Sequence, residues 1–306
     1  MSRSVLVTGG AGFVGSHLVQ HLVSAGEHVA VLDNLSRGRR AWLPREAELL
    51  ELDIRDHAAL HRSMRQIAPE IVVHLAAMHF IPAVADAPKL AFDVNVTGTR
   101  TLLDALAQRP PKVLLFASTA AVYPDRAGPI DESCPPAPID VYGRTKVEGE
   151  RLVKDFAEQT GTRHITVRLF NIIGRRETNP HVVPELVAQL STGRTSVRLG
   201  NLEPRRDYTD VRDVATGLQQ LLSSSPNAKA TFNLGSGRSV SVADLVKACE
   251  QVLGRPIEVT VEKRRLRGQD RAELVADAHL LRETTGWRPV RSLRDTLATL
   301  LREPER

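Results

Sequence analysis

The 306-residue chain is short of several things that would point away from an ordinary globular enzyme. Cysteine occurs only at Cys134 and Cys249, far apart and without histidines at metal-ligand spacing. That excludes a disulfide scaffold or a zinc knuckle and reads as two reduced thiols. Aromatic residues are 4% of the chain, and none interleave with basic residues as a stacking platform for single-stranded nucleic acid requires. The net charge is only +5, as compatible with an anionic small molecule as with anything larger. The most apolar stretch, Ile71 to Ala85, carries His74, His79 and Pro82 and is too short to cross a bilayer. Met-Ser-Arg-Ser runs straight into a strand pattern with no secretory apolar segment. The expectation is a soluble cytoplasmic protein with neither nucleic acid nor membrane as partner. What is present, 42% hydrophobic and 25% charged residues, is enough for one large or two modest domains.

Short β-branched runs alternate with helix-length amphipathic segments. The spacing predicts strands over Ser4–Thr8, His28–Leu32, Leu49–Leu52, Ile71–Leu75, Lys112–Ala117 and His164–Leu169. Between them it predicts helices over Gly12–Ala25, Asp56–Ile67, Pro88–Leu106 and Tyr142–Glu158. Strand–helix–strand repetition means parallel strands and right-handed crossovers: an α/β, doubly wound parallel sheet of the Rossmann type. Residues 1–170 form this domain, and a helix over Asp210–Leu222 with a strand over Thr231–Leu234 returns to complete its sheet. Residues 171–209 and 237–306, punctuated by proline and glycine, read as a smaller, partly helical substrate lobe. Its helices are expected over Val183–Leu190, Ser241–Leu253 and Leu293–Leu301.

The glycines of Gly9-Gly10-Ala11-Gly12-Phe13-Val14-Gly15 follow the first strand and open the first helix. In that context they permit a tight turn, close approach of a pyrophosphate to backbone N–H groups, and a helix N-terminus aimed at the anion. Asp33 closes the next strand where a carboxylate accepts from a ribose 2′-hydroxyl and repels a 2′-phosphate, which favours NAD over NADP. Asp53-Ile54 falls within reach of an adenine edge, and Leu75-Ala76-Ala77 offers small residues at the switch point of the sheet. Tyr142 and Lys146 stand four residues apart at the start of a helix. A free phenol, with a pKa near about 10, is a poor base, and an ammonium one turn away stabilises its phenolate. Ser118-Thr119 ends a parallel strand, where a hydroxyl can hold the oxygen from which Tyr142 takes a proton.

In this order Gly9/Gly12/Gly15, Asp33-Asn34, Asp53, His74 to Ala77, Asn95, Ser118-Thr119, Tyr142/Lys146 and Arg168 to Asn171 resemble one family. It is the extended short-chain dehydrogenases/reductases that act as nucleotide-sugar epimerases and dehydratases. The resemblance runs from about Val5 to Pro289. It implies Tyr142 as acid/base, Lys146 as its activator and ribose ligand, and Thr119 as the hydroxyl that orients the sugar. It places Ser118 toward the nicotinamide and adds Phe13, Val14, Asn34, Ser36, Asn95 and Phe170 to the NAD site. For a nucleotide-diphosphate sugar it implies Asn171, Val182 and Leu199, with Arg206 and Arg267 on the phosphates, while His79 and Phe80 fall by position close to the nicotinamide and the hexose. A homodimer through Pro88–Leu106 and Tyr142–Glu158 is implied as well.

Within the family, dehydratases carry acids after the active-strand threonine, whereas here Ala120 and Ala121 follow Thr119. Neither alanine moves a proton, and a hydroxyl followed by two alanines is similar to 4-epimerases, which pass through a transient 4-keto sugar. Met78-His79-Phe80-Ile81-Pro82 departs from the usual epimerase run. Gly200 to Asp207 and Val182 to Pro184 look more like the GDP-sugar branch, so UDP and GDP both stay open. The alternatives are a reductase of a nucleotide-linked 4-keto sugar using NAD(P)H, and an idle NAD-sensing protein that would have no need of all three catalytic residues.

Overall fold

The computed structural model describes residues 2–224, 231–262, 265 and 271–302. The chain opens with β1 (Ser4–Thr8) and crosses through α1 (Phe13–Ser24) to β2 (His28–Asp33) and β3 (Glu48–Glu51). From there α2 (His57–Ile67), capped by the Asp56 carboxylate accepting from Ala59 N at 3.0 Å, carries it back to β4 (Ile71–His74) on the other flank of β1. Helices α3 (Ile81–Asp86), α4 (Pro88–Phe92) and α5 (Gly98–Leu106) lead to β5 (Val113–Thr119). After β6 (Pro129–Ile130), α6 (Val141–Thr160) leads to β7 (Arg163–Leu169). Next come β8 (Asn171–Ile173), α7 (Val182–Leu190), β9 (Ser196–Leu199), β10 (Arg205–Asp210), α8 (Val211–Ser223) and β11 (Thr231–Leu234). The last stretch holds β12 (Ser239–Ser241), α9 (Val242–Leu253), β13 (Glu258–Val261), β14 (Glu273–Ala276), α10 (His279–Thr285) and α11 (Leu293–Arg302).

Seven parallel strands in the order β11-β7-β5-β4-β1-β2-β3 make the main sheet, and the order reverses between β1 and β4. Period-two alternation splits its side chains between two helical layers. Val5, Val7, Val31 and Leu115 share a core with Leu18 of α1 and Leu218 of α8. Leu6, Leu32, Leu114 and Phe116 share the other with α2, α5 and α6. A smaller sheet, β12-β10-β14-β6 with β8 beside β10, and the β9–β13 pair carry the second lobe. Its core gathers Leu186, Leu245 and Leu297 from α7, α9 and α11. The buried Asp207 carboxylate ties this sheet to its loops, accepting from Ser236 N and Gly237 N at 2.7 Å and from Ala276 N at 3.2 Å.

Three details differ from the sequence expectation. The helix over Pro88–Leu106 is one rod with a π-turn, Asp93–Thr97, at its centre. Such a turn adds one residue to the hydrogen-bonded ring and redirects a side chain. β6, paired with β14, draws residues 129–130 into the smaller sheet. Conversely, Leu281 of α10 and Trp287 pack into a core of the main sheet, with Trp287 Nε1 donating to Asp213 O at 2.9 Å.

Candidate active site

A cavity of about 1440 Å3 opens at the carboxyl ends of β1, β4 and β5, against the second lobe. This is the switch point of the sheet, where loops diverge and leave a crevice. All the described candidate site residues line it except Asn95, while Arg267 lies outside the described residues.

The glycine turn shows what a cofactor would meet. Gly9 sits at φ +69°, and a Cβ there would come 2.8 Å from Ala76 N. A Cβ on Gly15 would stand 2.2 Å from the Gly9 carbonyl oxygen, so only glycine lets α1 begin this close to β1. Gly12 caps α1 without a side-chain hydrogen bond, leaving the helix N-terminus open to an anion. The buried Asp33 accepts from Ala11 N at 3.0 Å and Leu35 N at 2.9 Å, which ties the turn to the end of β2, and burial raises its pKa. Each oxygen keeps a second lone pair for a ribose hydroxyl. Asn34 donates to Asp53, whose carboxyl is held well below the usual range chiefly by Arg55. A cradle of bare backbone N–H groups beside a two-acid ribose edge fits a dinucleotide.

Asn95 is a correction. The π-turn points it inward, where it accepts from Met78 N at 2.7 Å and donates to Met78 O and Thr145 Oγ1 at 2.9 and 3.0 Å. It clamps the loop after β4 rather than lining the cavity. Ser118 is a second. It continues the row of Leu114 and Phe116 toward α6, and its hydroxyl is committed to Glu150 at 2.5 Å, which also pairs with Arg168.

The α6 helix starts on Asp140, which accepts from Gly143 N at 2.7 Å. A Cβ on Gly143 would lie 2.4 Å from Ala121 O, so the helix rides directly on the turn after β5. That contact brings the Tyr142 phenol into hydrogen-bonding reach of the Thr119 hydroxyl. Burial holds the phenol above its ordinary pKa, with the Thr119 bond pulling the other way. Lys146, one turn on, donates to Ala117 O at 2.7 Å and lies 4.8 Å from the Phe116 ring centroid. Burial pulls its pKa down to about 8. The lysine is thus anchored to the strand, not to the phenol, contrary to the simple one-turn picture. His74 beneath them is neutral: Thr99 gives its proton to Asn95 O, so His74 Nε2 donates to Thr99 and Nδ1 accepts from Thr8.

Several lining residues were not picked out as site residues in the sequence. Arg271 is buried and donates to Ala121 O at 3.0 Å. The candidate Arg206 donates in turn to Arg271 O at 2.8 Å. Glu177, Asn179 and His181 also face the cavity, beside His79 and Phe80. The density of polar groups between Gly174 and His181 was a readable signal, but no motif marked it.

The NAD dependent epimerase/dehydratase family model matches residues 5–235. A UDP-glucose 4-epimerase from Streptomyces lividans is 36% identical over 310 residues, covering 95% of this chain and 93% of that protein. Crystal structures named as UDP-glucose 4-epimerases are similar along nearly the whole length. The Thermotoga maritima protein with UDP-glucose has a TM-score of 0.90 at 31% identity, and each chain is 97% covered. The Thermus thermophilus protein in complex with NAD has 0.89 at 30%, again with 97% of each chain covered. The family model spans well over half of the chain and the relatives nearly all of it, so the chain belongs to the NAD dependent epimerase/dehydratase family.

Proposed function

We propose that this enzyme inverts C4 of a nucleotide-linked hexose, working as a homodimer with NAD held at the switch point. The observation that carries the reading is Tyr142 meeting Thr119 at the end of β5, with only Ala120 and Ala121 where an eliminating acid would stand. The UDP-glucose 4-epimerase names of the relatives support a UDP-linked sugar.

NAD, when bound, supplies reversible two-electron oxidation at the sugar carbon, so no net redox change remains. The protein's share is proton handling and orientation. Thr119 holds the C4 hydroxyl oxygen, and Tyr142 takes its proton and returns it. Burial keeps the resting phenol protonated, and Lys146, titrating near about 8, supplies positive charge to the same closed space. Gly9, Gly12 and Gly15 receive the pyrophosphate, Asp33 and Asp53 the ribose edge. Arg206 and Arg271 serve the sugar nucleotide's diphosphate, with Asn171, Val182, Leu199, His79 and Phe80 around the rest of the substrate. For the dimer, Leu90 and Phe92 stand 45% and 53% exposed on α4, beside α6.

Proton NMR of the purified enzyme with UDP-, GDP-, ADP- and dTDP-hexoses, no cofactor added, tests the reading. Conversion of one sugar to its C4 isomer is expected and identifies base and sugar together. Unchanged sugars, with NADH consumed on a 4-keto sugar, would replace the epimerase by the reductase.

A further inference from the structure

Among the described residues, His79, Glu177 and His181 bring three ligand atoms within 4.8 Å of one another at the mouth of the second lobe. His79 stands in the loop after β4, whereas Glu177 and His181 come from the segment between β8 and α7. We propose that these three side chains form a binding site for a zinc-class divalent cation, spanning the two lobes.

Asn179 Nδ2 lies 3.0 Å from His79 Nε2 and 3.1 Å from Glu177 Oε1. A carboxylate only accepts, so the amide presents its NH2 to both, and Nε2 of His79 is an unprotonated acceptor. The remaining ring proton is on Nδ1, where the side chain is bonded to the Ala77 backbone. A histidine whose far N–H is held by a carbonyl while Nε2 carries the lone pair is the tautomer metal ions take. Glu177 is braced likewise, its Oε1 accepting from Asn179 N at 2.8 Å. Two lone pairs therefore converge on one point, filled in this structure by an amide NH2. A cation would take the place of that NH2 group, with the Asn179 amide swung aside.

The third ligand is set by its element. His181 is the N-cap residue of α7, its backbone N–H donates to Asn179 O at 2.8 Å, and its ring stands edge-on to Phe80 with centroids 5.1 Å apart. Two imidazoles and one carboxylate suit Zn(II), Co(II) or Ni(II) rather than Mg(II) or Ca(II), which prefer oxygen shells. Three protein ligands leave a position for an oxygen from the cavity. The bound ion would join the loop after β4 to the segment before α7.

Cobalt(II) titration of the full-length, chelator-stripped protein tests this by its visible ligand-field spectrum, independently of turnover. One equivalent per chain is expected to give a low-symmetry spectrum that zinc displaces. His79→Ala and Glu177→Gln are each expected to weaken binding tenfold or more, with circular dichroism and NAD binding retained to show that they fold. The competing site is His57 and His61, one turn apart on α2 with ring centroids 4.2 Å apart. No cobalt spectrum, a spectrum that survives both cavity variants, or one abolished by His61→Ala would overturn the proposal.

Discussion

At the scale of single residues, the active site is a balance between burial and neighbours. Tyr142 is a worse base in this environment than in water, because desolvation outweighs its bond to Thr119. Tyr142→Phe removes the proton carrier and leaves the glycine turn alone. Turnover should fall by about 10²–10⁴, with NAD retained, read by NMR conversion rates beside NAD content. Near-unchanged turnover would end the assignment. His74 makes a different statement. Burial brings it down to about 3, and its two hydroxyl partners hold it neutral. The unfolded chain, with a free imidazole near about 6.5, binds more protons than the native state between those values. Stability is therefore complete above about pH 6.5 and falls as pH drops toward 3, by up to about 1.4 kcal/mol per unit for this one ring. A histidine-resolved NMR titration should find a ring still neutral at about pH 5; titration near its free value would refute the account.

At the scale of elements, the π-turn in the rod over Pro88–Leu106 does what an unbroken α-helix would not: it turns Asn95 into the protein. Asn95→Ala leaves Met78 N–H and C=O without partners beside the cavity. A loss of about 1–3 kcal/mol is expected from urea midpoints, together with a raised KM for the sugar nucleotide as the loop carrying His79 loosens. Legibility in the sequence followed element length. β1, β2, β4, β5 and β7, with α1, α2 and α6, were readable because continuous short runs of buried apolar residues alternate with segments whose apolar residues repeat at period 3.6. β6, β8 and β12 have two or three residues and carry no period; they exist because neighbours pair with them. The same divide holds in the site. Gly9, Tyr142 and Lys146 sit at fixed spacings, whereas Arg271 and Asn179 arrive by tertiary packing. The inward turn of Asn95 depends on one extra residue in a helical ring, which leaves no mark on hydrophobic spacing.

At the scale of the molecule, no helix among the described residues is long and apolar enough to cross a membrane. Exposed Leu90 and Phe92 fit the proposed dimer, in which α4 and α6 of two copies cover one another. Sedimentation should give twice the 33.6 kDa chain mass, and Phe92→Glu should shift the enzyme toward monomer; a monomeric parent protein would dismiss the dimer. The main sheet also has a temporal consequence. Its outermost strand, β11, pairs with β7 only after the chain has traversed β8, β9 and β10, and Trp287 seals that face later still. A growing chain that has emerged only through β7 offers a bare parallel edge, which invites pairing with other chains. Synthesis must therefore proceed almost to the end before the nucleotide-binding half can close. The two lobes should melt together in a single calorimetric transition, and a fragment stopping at residue 170 should aggregate instead of folding.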